Sequence, residues 1–149
     1  MSIFYDILSA VKTDIESVLT PYGVPISLRR RNIYLQDDPL PIVVISPGDT
    51  EYVDSLDFAS EVTWVYPVII NMIYPDNRHS DLALDAQLYL DIREAIRNRI
   101  YYPLLQGVPE VWDVDENGTK PFTIVDQKST YSSTQWIAKY KSLEPRRSS

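Results

Sequence analysis

Cysteine is absent from the 149 residues, so no disulfide framework, thiolate nucleophile or thiolate metal site is available, and the redox compartment leaves no mark. Glycine is scarce as well. Four glycines cannot build a glycine-rich phosphate cradle, and G-x-G-x-x-G, the Walker loop and the G-x-S-x-G nucleophile elbow are all missing. Histidine occurs once, at His79. Positive charge is in deficit, with 14 Lys and Arg against 21 Asp and Glu, and the net charge of −7 argues against a general nucleic-acid binder with its basic face. Long apolar runs are missing too. The longest, 61–74 (EVTWVYPVIINMIY), is broken by Pro67 and Asn71 and falls short of the roughly 20 residues of a membrane helix. The opening MSIFYDILSAVK carries Asp6 where a signal peptide would carry basic residues, so the chain reads as soluble and made in the cytoplasm.

What is present is an ordinary hydrophobic fraction of 44%, enough for a folded core, together with eleven tyrosines and three tryptophans. Tyr and Trp combine apolar area with a polar handle, which suits both cores and interfaces. The apolar positions Ile3, Ile7, Val11, Ile15, Val18 and Leu19 recur at helical spacing after Ser2, a good N-cap, and Thr20-Pro21 with Gly23 ends that helix. Ile26–Arg31 and Leu40–Ser46 read as strands joined by a polar turn at 36–39, and Thr50–Ser60 as an irregular acidic loop. The run 62–74 predicts a long strand, bent or bulged at Pro67. A second helix starts at Ser80 or Asp81 and runs to about Tyr101, its stripe made by Leu84, Leu88, Ile92, Ala95, Ile96 and Ile100 and broadened by Leu82, Ala86 and Tyr89. Val108–Val114 and Pro121–Val125 resemble hairpin arms about Asn117-Gly118, and Ser133–Leu143 alternates Trp136, Ala138 and Tyr140 against polar neighbours. The expectation is an α+β fold: one mixed, mainly antiparallel sheet flanked by two main helices, in a single domain over 1–149 with a polar tail from about 144. Both faces of 62–74 are apolar. One face is expected to pack on the second helix, the other on the first helix or a neighbouring subunit.

Few constellations suggest chemistry. Asp113–Gly118 matches the first half of an EF-hand loop, but the twelfth position, which must supply a bidentate carboxylate, is Ile124. His79 lies among Asp76, Asp81 and Asp85, where acids at a helix start explain the cluster without metal or catalysis. The carboxylate pairs Asp37-Asp38 and Asp54/Asp57 fall in expected loops. No catalytic, cofactor or metal residue is assigned. The one basic cluster, Arg29-Arg30-Arg31, either protects an edge strand from unwanted pairing or meets the acidic segment of another copy, with Asp49, Glu51, Asp54 and Asp57 as its counterpart. Tyr101 and Tyr102, at the end of the second helix, complete the candidate interface residues.

The order of an amphipathic helix (IFYDILSAVKTDIESVL), strands ending in LPIVVIS, the long strand TWVYPVIINMIY, the helix DLALDAQLYLDIREAIRNRI and the aromatic strand STQWIAKYKSL resembles the tail terminator (tail completion, neck) proteins of long-tailed bacteriophages. The likeness spans nearly the whole chain but rests on length, order and texture. It implies a non-enzymatic virion protein, needing no cofactor, that forms a homo-oligomeric ring, expected to be a hexamer. Such a ring caps the tail tube, meets the head-tail connector and lets DNA pass through its lumen without specific binding. An acidic lumen would avoid tight phosphate contacts. Other readings are a different neck or tail adaptor, a small metal-dependent hydrolase or nuclease using His79, and a protein-binding module.

Overall fold

The computed structural model describes residues 2–33, 35, 38–39, 41–58, 61–75, 82–101, 105, 108–116, 123–124 and 131–145. Helix α1 (Ile3–Leu19) begins where its sequence says it should. The Ser2 hydroxyl accepts the Tyr5 backbone N–H at 3.2 Å, and Ile7, Leu8, Val11, Ile15 and Leu19 form one buried line. A single 3₁₀ turn, Thr20–Tyr22, follows, and Gly23 at φ 65 supplies the left-handed residue that turns the chain into β1 (Ile26–Leu28).

The sheet is built around two long strands. β4 (Glu61–Pro75) and β7 (Tyr131–Pro145) pair antiparallel along their whole length, from Glu61 opposite Pro145 to Pro75 opposite Tyr131. Shorter strands lie end to end along each outer edge of this ribbon. On the β4 side, β2 (Ile42–Pro47) pairs with 68–73 and β3 (Tyr52–Phe58) with 61–65, while β1 lies parallel outside β2. On the β7 side, β5 (Val111–Glu116) pairs with 138–142 and β6 (Thr123–Ile124) with 132–133. One pair is parallel and the others antiparallel, the mixed and mainly antiparallel α+β sheet that the sequence predicts.

Both helices lie on one face. The even-numbered β4 residues Tyr66, Val68, Ile70, Met72 and Tyr74 share a core with Trp136, Ala138 and Tyr140 of β7, with the buried line of α1, and with Tyr89, Ile92, Ile96 and Ile100 of α2 (Leu82–Tyr101). Aromatic contacts dock the helices onto β4: Phe4 of α1 meets Tyr66 at 5.1 Å between ring centroids, and Tyr89 of α2 stacks on Tyr74 at 4.8 Å. Of the two covers expected for the opposite face of β4, the first helix or a neighbouring subunit, the first helix is therefore excluded. On that face Thr63, Val65 and Ile73 are buried, and the segment following β1 lies across it: Asn32 Nδ2 donates to the carbonyls of Val44 (3.0 Å) and Ile69 (3.2 Å).

Other expectations are corrected by long-range pairing. β1 ends at Leu28, and it joins β2 by a crossover because the two strands are parallel, not hairpin partners. The acidic 50–60 segment contains β3, disguised in sequence because register shifts at Val53/Ser55 and Ser55/Phe58 break its alternation. β5 and β6 do not face each other; each pairs with β7. Leu88 is exposed, while Tyr89 stays in the buried line of α2. The expected caps at Ser80 and Asp81 and the Asn117-Gly118 turn lie outside the described residues.

No bulge occurs at Pro67. The β4–β7 register runs through it unbroken, and the Pro67 carbonyl accepts the Gly48 N–H at 2.8 Å on the opposite edge. That edge lies between the end of β2 and the start of β3, so a proline there removes no ladder bond. Gly48 must come close. A Cβ at Gly48 would sit 2.8 Å from Pro67 Cβ, 2.9 Å from its Cγ and 3.2 Å from its carbonyl oxygen. Gly48→Ala is expected to lower stability by about 1–3 kcal/mol, since the rigid ring cannot swing away. Urea unfolding checks this, and an unchanged midpoint would refute the close approach.

Candidate functional site

The described residues hold no group of three or more His, Cys, Asp or Glu placed to share a metal ion. His79 and Asp76 lie outside the described residues, as do Asn117 and Gly118 of the EF-hand-like stretch. Of its first half, Asp113 sits on β5, where Oδ1 accepts the Val114 N–H at 2.9 Å and Oδ2 lies 3.8 Å from Lys141 Nζ. These contacts belong to an acidic edge strand.

A part-buried ion pair joins the two helices. Arg99 Nη2 of α2 donates to Asp14 Oδ1 of α1 at 2.9 Å, and both side chains are largely buried. Beside them, Val11, Ile15, Ile100, Leu105 and Tyr140 complete the lining of a cavity of about 10 Å³, room for one water molecule and not for a substrate. Burial raises the pKa of the Tyr140 phenol well above its ordinary value; the charge of Asp14 adds to this and that of Arg99 opposes it. Tyr66 is likewise raised, first by burial and then by donating its hydroxyl to Glu144 Oε2 at 2.7 Å. The Asp14–Arg99 pair fastens α1 to α2. Asp14→Leu or Arg99→Met alone is expected to cost about 3 kcal/mol, because each strands a mostly buried charge, whereas the double variant recovers most of that loss. Equal and additive losses in a denaturation cycle would contradict this.

The basic triplet is divided by the fold. Arg29 is spent within the chain: Nη1 and Nη2 bind Asp38 Oδ2 and Oδ1, both at 2.7 Å, Nε donates to Ser27 Oγ at 3.0 Å, and Nη1 also reaches the Ile33 carbonyl at 2.9 Å. Asp38 Oδ2 in turn accepts the Leu35 N–H at 2.8 Å. This bidentate clamp holds the crossover between β1 and β2. Arg30 and Arg31 are exposed, as are Asp49 and Glu51. Asp54 and Asp57 fall on β3 and Tyr101 ends α2, with their side chains outside the described set; Tyr102 lies outside the described residues. Sequence reasoning missed Asp38 as the partner of Arg29. The residues are nine apart across a crossover, and only the parallel pairing of β1 with β2 brings them together.

The hydrogen bonds from Arg29 and Leu35 hold the Asp38 carboxyl below its ordinary range, and the Asp38 side chain raises the Arg29 pKa in return. A carboxyl lowered by folding adds stability above its unfolded pKa of about 3.9 and loses it as pH falls through the lower folded value. The stability difference between wild type and Asp38→Asn should therefore be full at neutral pH and shrink below about pH 4. Denaturant midpoints measured across that range test it; a difference independent of pH would refute it.

The arrangement is a long two-stranded ribbon with both helices on one face and a strap across the other. No protein-family profile matches the chain, and no curated protein matches it in sequence. Among solved structures, a chain from the virion of a native gene transfer agent (GTA) particle is similar in fold, with a TM-score of 0.63 and 13% sequence identity over 96% of this chain and 98% of that one. At that identity the similarity establishes a shared fold, covered end to end by both chains.

Proposed function

We propose that this chain is a structural, non-enzymatic virion protein of a tailed, phage-like particle, and that it forms the ring that completes the tail tube and joins it to the head connector. The observation that carries the reading is the end-to-end fold similarity to a chain from a gene transfer agent virion. The order of elements that resembles tail terminator proteins supports the same position at the neck. In this reading the chain is made in the host cytoplasm. It contacts copies of itself, the tail-tube protein and the connector, and DNA crosses the lumen without specific binding. The net charge of −7 suits such a lumen, where tight phosphate contacts would hinder passage. Arg30, Arg31, Asp49 and Glu51 are exposed and available for subunit contacts.

Light scattering and negative-stain microscopy of the purified chain, alone and mixed with tail tubes, test the proposal. The expected result is a ring of six 17.2 kDa subunits, free or seated on tube ends. A chain that stays monomeric at high concentration and ignores tube ends overturns it.

A further inference from the structure

Arg99 carries a donor that its ion pair does not use. Nη2 is bonded to Asp14 Oδ1 at 2.9 Å, but Nε is buried and meets no hydrogen-bond acceptor within the chain. Buried N–H groups are paired as a rule, and one on a charged side chain is costly to leave alone. The question is what accepts it.

The cavity beside the pair is the place where that donor can be met. Its volume of about 10 Å³ lies at the lower limit for a single water. Size alone does not wet a cavity: apolar cavities stay dry even when larger, and an internal water needs two to four polar partners. Three residues of this lining are polar, and each comes from a different element: Asp14 from α1, Arg99 from α2 and Tyr140 from β7. The Asp14 carboxylate has a second oxygen beyond the one that Arg99 Nη2 holds. The Tyr140 phenol is close enough to feel both charges, Asp14 raising its pKa and Arg99 lowering it. Val11, Ile15, Ile100 and Leu105 supply the rest, all with apolar side chains.

The charges also select the occupant. An anion in this space would face the Asp14 carboxylate, and a cation would face the Arg99 guanidinium, so a neutral molecule is favoured. It must accept from Nε, donate to a carboxylate and fit where an organic group does not. We infer that the cavity holds one structural water that accepts the Arg99 Nε–H and bridges it to the Asp14 carboxylate and the Tyr140 phenol. The ion pair joins only the two helices. The water carries the same network down to the sheet, so that α1, α2 and β7 meet at one polar point within an otherwise apolar layer.

A crystal structure of the full chain, at a resolution that orders solvent, tests this in wild type and in Val11→Ile. The added methyl group is placed to take up the cavity, and circular dichroism confirms the fold of the variant. Wild type should show one density peak within about 3 Å of Arg99 Nε. Val11→Ile should lose that peak while the Asp14–Arg99 contact stays. Oxygen-17 relaxation dispersion, which exchanging protons do not disturb, should count one long-lived water fewer in the variant. An Arg99 Nε bonded directly to a protein acceptor, or left bare beside a dry cavity, overturns the inference from wild type alone. Equal numbers of long-lived waters in the two folded proteins overturn it as well.

Discussion

Everything in this fold is hung on the pairing of β4 with β7. Two fifteen-residue strands in unbroken register make a ribbon roughly 50 Å long, and each contributes a buried row to the same face. Both helices, all the short strands and the crossover take their positions from that ribbon. A one-residue slip would carry Trp136, Ala138 and Tyr140 out of the core together, so register and core packing are one constraint.

The ribbon is treated differently on its two faces. One receives α1 and α2, anchored by Phe4 on Tyr66 and Tyr89 on Tyr74, with the Asp14–Arg99 pair fastening the helices to each other. The other is crossed by a strap whose shape is held by Arg29, Asp38 and Asn32. Polar groups do this work because the strap must meet sheet carbonyls from above, and Asn32 can donate to two of them at once. Pro67 and Gly48 share one position for a related reason. In the gap between β2 and β3 that edge of β4 has no strand partner, so a residue without an N–H fits and the neighbouring chain can pass close by.

The strong local patterns were legible before any coordinates. α1, the long strand around 62–74 and the aromatic strand near the C-terminus stand where periodicity and capping place them, because each carries many turns or alternations of consistent signal. β3 was not legible, since its register shifts and acidic residues erase the alternation that marks a strand. Leu88 leaves the expected stripe while its neighbour Tyr89 stays in it, because adjacent residues on a helix lie about 100° apart and only the docking angle selects which of them faces the sheet. The arginine triplet stood out as a cluster, but nothing local separates Arg29 from its two neighbours.

The sequence by itself determined the vocabulary: no thiol chemistry, no phosphate loop, an acidic chain with amphipathic helices and strands too apolar to stand alone. Tertiary structure decided the grammar. It put both helices on one face, made β1 and β2 parallel, laid β2 beside β3 and β5 beside β6 end to end along the ribbon, and committed Arg29 to Asp38. The physical reason is that hydrophobic periodicity records only whether a residue points inward, whereas the choice of face, edge and partner depends on contacts between residues tens of positions apart.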